Sequence, residues 1–195
     1  MKKYNIPFSP PDISEEEINE VIDTLKSGWI TTGPKTKELE RRLSEFTDTP
    51  KTVCLNSATA ALELTLRVLG IGEGDEVIVP AMTYTASCSV IYHVGAKAVI
   101  VDIAEDSHEM DYDALADAIT ENTKAVIPVD LAGIPCDYNK IFEVVENKKH
   151  LFKANSEYQE KLGRVAVVAD GAHALGSTYK GKKIGSVADF TTFSF

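Results

Sequence analysis

The 195 residues are 44% hydrophobic and 26% charged and carry a net charge of −10, the make-up of an ordinary globular chain long enough to bury a sizeable core. The acidic balance argues against nucleic acid and against anionic membrane surfaces as partners, and no apolar run is long enough to span a bilayer, so a cytoplasmic protein is expected. Cys54, Cys88 and Cys136 have no Cys-x-x-Cys spacing and the four histidines are scattered, so neither a metal site nor a disulfide framework is expected.

In chain order, residues 1–12 hold Pro7, Pro10 and Pro11 and read as an extended N-terminal arm; residues 13–195 read as one domain. Ser14 followed by Glu17 is a capping box, and Ile18, Val21, Ile22 and Leu25 give the helix behind it one apolar stripe, closed by Gly28. The loop Trp29-Ile30-Thr31-Thr32-Gly33 offers hydroxyls and backbone to a ligand, although a structural loop anchored by one Trp is the commoner meaning. Pro34 opens a second helix with Leu39, Leu43 and Phe46 inward. Val53 to Leu55 reads as a short strand leading into Asn56-Ser57-Ala58-Thr59 and a helix that stops at Gly70. The free N–H groups of that helix start and the hydroxyls of Ser57 and Thr59 can donate to a phosphate, an anion that an acidic chain can still hold locally; ordinary N-capping explains the same residues.

Further strands are expected at 76–79, 96–101 and 125–129, with helices running to Val94, around Tyr112 to Ile119 and near Ile141 to Val145. Tyr84, just past the end of the first of these strands, could lay its ring against an aromatic ligand or simply pack. Alternation of strands and helices predicts an α/β fold, a mostly parallel sheet with helices on both faces. Residues 146–163 break the rhythm and read as a partly helical surface insertion away from any catalysis. A hairpin is expected around Lys180-Gly181, and a last strand over 189–195.

The central stretch is Val165 to Ala169, five small or β-branched apolar residues that suit a strand buried on both faces. It stops on Asp170, with His173 three residues on. Ligands of open α/β sheets bind beyond the carboxyl ends of the strands, where this acid stands. An Asp that only caps the next turn is the alternative on this segment alone.

Taken together, Gly28 to Lys35, Asn56 to Leu62, Asp75 to Pro80, Asp170 to Gly176 and Phe193 to Phe195 resemble the DegT/StrS-type sugar aminotransferases, pyridoxal-phosphate (PLP) enzymes of fold type I. The resemblance implies the large PLP-binding domain of that fold, with the C-terminal small domain absent. It implies that Ser57, Ala58 and Thr59 hold the cofactor phosphate with Ser194, that Tyr84 stacks on the pyridine ring, that Asp170 pairs with the ring nitrogen, and that His173 stands near the phenolic oxygen. Trp29, Thr31, Thr32 and Gly33 would lie along the sugar-binding edge. The implied activity is transfer of an amino group from an amino-acid donor, usually glutamate, to a keto-sugar nucleotide, by a homodimer. The family's Schiff-base lysine falls just after Phe195, so no catalytic residue of that kind is present, PLP would be held non-covalently at best, and the 195 residues alone are expected to be inactive. A PLP-dependent sugar dehydratase, with His at the lysine position, and a non-catalytic binding fragment are the alternatives.

Overall fold

The computed structural model describes residue 7 and residues 9–195, so most of the expected arm lies outside the described residues. Five parallel strands form the sheet: β1 (Glu76–Pro80), β2 (Lys97–Val101), β3 (Thr123–Val126), β4 (Ala166–Asp170) and β7 (Phe190–Thr192), in the order β2-β1-β3-β4-β7. β1 and β4 are buried along their whole length, as continuous apolar runs in a parallel sheet require. The expected hairpin forms as β5 (Thr178–Tyr179) and β6 (Lys182–Lys183), antiparallel, with Lys180 and Gly181 both at positive φ in the turn.

The two faces have separate cores. Val77, Val79, Ala125, Ile127, Ala166 and Val168 point to α3 (Ala58–Val68) and α4 (Thr85–His93), whose Leu62, Leu66, Val90 and Ile91 are fully buried. Ile78, Val126, Val165, Val167 and Ala169 point the other way, to Leu115 of α5 (Tyr112–Ala118) and Ile141 and Val145 of α6 (Tyr138–Asn147). This is the expected α/β sheet covered on both faces. Within the described residues no helix is long and apolar enough to cross a membrane.

Several elements differ from expectation. Val53 to Leu55 is not a strand: the Cys54 N–H donates to Glu40 Oε1 at 2.9 Å instead of to a neighbouring strand, and Val53 and Leu55 stay exposed. β3 begins two residues early and ends at Val126, because Pro128 has no N–H to continue the ladder; pairing resumes only as a bridge between Val129 and Asp170. β7 ends at Thr192 rather than Phe195. It is clamped at its start, where Asp189 accepts two hydrogen bonds from Arg164 at 2.7 and 2.9 Å and one from the Val167 N–H.

Residues 146–163 are partly helical as expected, with α7 at Glu157–Leu162, but they are anchored. Ser156 Oγ and Gln159 Nε2 both donate to the Leu69 carbonyl at the end of α3, at 2.6 and 2.9 Å, and Asn155 Nδ2 donates to Asp75 at 2.8 Å. The segment therefore closes the edge of the sheet where the strands begin. α1 (Glu15–Ser27) has its capping box and its αL Gly28, yet none of its residues is buried. On α2 (Pro34–Thr47), Leu39 and Phe46 are also exposed, against the expected inward face.

Candidate functional site

Chain direction decides what lies at each end of the sheet. α3 ends at Val68 and turns directly into β1, so its last residues sit where the strands begin. Eleven helical residues at ~1.5 Å each and a five-residue strand at ~3.3 Å per residue both span ~16 Å. The start of α3 therefore lies at the opposite edge, beyond the carboxyl ends of the strands. α3 packs on β4 and β7, which puts its N-terminus over the end of β4, where Asp170 is. α4 runs the same way, leaving β1 at that edge and returning to the start of β2.

Alternation along β4 puts Asp170 on the face of Val168, which is the α3–α4 face; Thr192, its partner in β7, lies on that face too. The carboxyl group is buried, 6% of the residue being accessible, and it accepts one hydrogen bond on each oxygen. Ser87 Oγ in the first turn of α4 donates to Oδ2 at 2.6 Å, and the Ala172 N–H donates to Oδ1 at 3.1 Å. A buried carboxylate at a strand end, facing a helix N-terminus, suits a cationic partner brought by a ligand.

At the start of α3, Ser57 is the N-cap: its Oγ accepts from the Ala60 N–H at 3.0 Å and its carbonyl from the Ala61 N–H at 3.1 Å. The Ala58 and Thr59 N–H groups precede the first intrahelical bond and point out of the helix end, and the Ser57 hydroxyl hydrogen remains free to donate. An anion at this tip would meet two backbone N–H groups, a hydroxyl and the positive end of the helix dipole.

Tyr84 is the N-cap residue of α4, 77% of the residue being exposed, and its carbonyl accepts from the Ser87 N–H at 3.2 Å. Tyr84 is thus one residue pair away from the Asp170 carboxylate, with a free aromatic face. His173 lies in the turn after β4, where its Nδ1 accepts from the Ala132 N–H at 3.2 Å. That bond puts the proton of the neutral ring on Nε2, leaving an N–H donor on an exposed side chain. Ser194 is exposed two residues past β7 and next in line after Thr192, the register partner of Asp170.

The loop from Trp29 to Gly33 is tied to itself instead. Trp29 Nε1 donates to the Thr32 carbonyl at 3.1 Å, and the indole lies so close over Gly33 that a Cβ there would come within 2.1 Å of Nε1. Thr31 and Thr32 are exposed. Asp170, His173, Tyr84 and the 57–59 tip thus all lie at the edge where the strands end, while the Trp29 indole bonds to Thr32 within its own loop.

Two participants escape sequence reasoning. One is Ser87, whose signal is a hydroxyl on the otherwise apolar buried stripe Ser87-Val90-Ile91 of α4. The other is Asp130, buried beside the site: its N–H donates to the Asp170 carbonyl at 3.0 Å, while its carboxyl accepts from the Cys136 N–H at 2.9 Å and the Tyr138 hydroxyl at 2.8 Å. Burial pushes the Asp130 carboxyl up to about 6, the two donors oppose that, and the neighbouring Asp170 charge adds to it. Burial likewise pushes the Tyr138 phenol and the Cys136 thiol up. The Thr191 hydroxyl, buried with no hydrogen-bond partner among the described residues, pairs in register with Ala169 and so faces away from Asp170.

Residues 11–195 match the model of the DegT/DnrJ/EryC1/StrS aminotransferase family. Among curated proteins, the spore coat polysaccharide biosynthesis protein SpsC of Bacillus subtilis is 41% identical over 194 residues, covering 100% of this chain and 46% of SpsC. The UDP-4-amino-4-deoxy-L-arabinose–oxoglutarate aminotransferase of Shewanella sediminis is 43% identical, covering 95% of this chain and 44% of the relative. Among solved structures, the PLP form of Spr1654 from Streptococcus pneumoniae, described as a sugar aminotransferase, is 72% identical with a TM-score of 0.97, covering 98% of this chain and 49% of that one. The chain spans about half the length of each of these relatives. Its sheet is the one these fold type I structures share, and the chain belongs to the DegT/DnrJ/EryC1/StrS aminotransferase family.

Proposed function

We propose that residues 13–195 are the PLP-binding large domain of an enzyme that moves an amino group from an amino acid, glutamate first among candidates, to a keto-sugar nucleotide. The observation that carries this reading is the buried Asp170 carboxylate at the end of β4, on the same sheet face as the open N-terminus of α3. The donor set fits the cofactor: an anion tip for its phosphate, a carboxylate for its ring nitrogen, an exposed Tyr ring for its face and an imidazole N–H for its phenolic oxygen. PLP-type and PMP-type forms of the 72% identical Spr1654 support the same choice. A UDP-linked keto-sugar is the first acceptor to test, given the name of the Shewanella relative.

When bound, the cofactor supplies an electron-withdrawing ring that makes the proton on the amino-bearing carbon removable. The chain's own residues hold and polarise it. The Ala58 and Thr59 N–H groups, the Ser57 hydroxyl and Ser194 grip the phosphate and fix the ring's distance from β4. Asp170 keeps a proton on the ring nitrogen by offering a negative oxygen to it. Tyr84 covers one face of the ring and keeps water from it, and His173 Nε2 donates to the phenolic oxygen. Trp29, Thr31, Thr32 and Gly33 present an edge for the sugar. In this reading the lysine that moves the proton would come from the segment of the full-length enzyme that follows Phe195, as the family resemblance implies. A homodimer is part of this reading, since the exposed Val21, Leu25 and Ile30 are apolar surface that a second copy could cover.

The test is an absorbance titration of the full-length protein with PLP, followed by an assay for 2-oxoglutarate released from glutamate with a UDP-keto-sugar. Binding of PLP that is largely lost in Asp170→Asn, together with glutamate-dependent amination, is expected. A protein that binds no PLP would overturn the reading.

A further inference from the structure

Ser87 is fully buried, in the first turn of α4. A buried serine inside a helix usually returns its hydroxyl to the carbonyl four residues back. Ser87 does not: its single O–H donates across the site to Asp170 Oδ2 at 2.6 Å. The Thr83 Oγ1 atom lies 2.7 Å from Ser87 Oγ, where either could donate. Since the Ser87 hydrogen is committed to Asp170, Thr83 must be the donor, and the chain has one direction: Thr83 to Ser87 to Asp170. The other oxygen, Oδ1, is held by the Ala172 N–H at 3.1 Å.

Two donors, one from α4 and one from the turn after β4, fix both oxygens of a carboxyl whose side chain could otherwise rotate. We propose that Ser87 is a positioning residue: it sets the plane of the Asp170 carboxylate so that a free lone pair faces the coenzyme's ring nitrogen, and Thr83 sets the direction of the Ser87 hydroxyl. This rests on the PLP reading above. A serine that merely fills the α4 stripe would act on folding and on every ligand alike. A positioning serine acts only on ligands whose ring nitrogen needs Asp170.

The experiment uses the full-length protein and two probes, PLP and an analogue in which C–H replaces the ring nitrogen. Dissociation constants are measured for the wild type, Ser87→Ala, Ser87→Thr and Thr83→Val, with a thermal melt of each. Wild type is expected to bind PLP more tightly than the analogue. Ser87→Ala should weaken PLP by about tenfold, the value of one charge-assisted hydrogen bond of about 1.4 kcal/mol, and leave the analogue within about twofold. Ser87→Thr, which keeps the hydroxyl, should restore PLP binding, and Thr83→Val should show a smaller loss with the same preference. Equal weakening of both probes, or of neither, would overturn the role of Ser87 while leaving PLP binding in place. Equal binding of both probes by the wild type would overturn the Asp170 pairing, and the role of Ser87 with it. Should Ser87→Ala fail to fold, Thr83→Val decides between the same outcomes.

Discussion

α1 and α3 carry much the same information and meet different fates. Each begins with a serine N-cap and each has an apolar stripe at helical spacing. α3 buries Leu62 and Leu66 completely against β4, β7 and α4, whereas α1 buries nothing and is joined to the first turn of α2 by ion pairs of Lys35 with Glu20 and Asp23. A stripe records which face of a helix needs cover; it does not record whether these residues provide that cover. Helices on the sheet are stabilised by packing, and α1 only by its cap, its intrahelical bonds and exposed charges of small worth.

Substitution should expose that difference most plainly in the core. Leu66→Ala leaves a cavity at a fully buried site and is expected to cost about 2–5 kcal/mol, while Val21→Ala on α1 should stay within about 0.5 kcal/mol; chemical denaturation of the two variants measures both. Equal costs would mean that α1 is packed after all.

A second contrast lies between charges. The ion pairs of α1 are exposed, but Asp130 is a buried acid. In the folded protein it keeps its proton until about 6, against an ordinary value of 3.8, so the folded state holds the proton where an unfolded chain has lost it. Stability should therefore fall as pH rises from about 4 to about 6 and then level off, by on the order of 3 kcal/mol from this group. Asp130→Asn, which keeps an acceptor for the Cys136 N–H, should flatten that slope in denaturation curves taken across the window. An unchanged slope would show that Asp130 does not titrate there.

The smallest effect concerns the two caps. Ser57→Ala should cost about 1 kcal/mol in global unfolding, because α3 melts with the sheet; Ser14→Ala should remove a comparable cap from α1 and shift global unfolding by only a few tenths. Circular dichroism of the two variants separates local fraying from global loss.

Much of this was legible from residue order. The apolar run 165–169 ending on Asp170, the alternation of strands with helices, and the capping signals at Ser14 and Ser57 depend on local chemistry, and the fold follows them. What was not legible depends on partners far away in sequence. Val53 to Leu55 has strand composition, but a carboxylate of α2 takes its central N–H. The lysine-rich stretch 146–163 reads as polar surface, yet Ser156 and Gln159 satisfy a carbonyl at the end of α3 about 90 residues earlier, as the separations of 87 and 90 show. Ser87 meets Asp170 across a separation of 83 residues, and no local pattern announces such a bond.

The central claim is that Asp170 holds a proton on the ring nitrogen of PLP. The most direct measurement is the nitrogen-15 NMR spectrum of the full-length protein loaded with PLP labelled at that nitrogen, in the wild type and in Asp170→Asn. A protonated, pyridinium-type signal in the wild type that moves to the neutral pyridine range in Asp170→Asn is the predicted result. A neutral-range signal in the wild type, or one indifferent to the substitution, would contradict it.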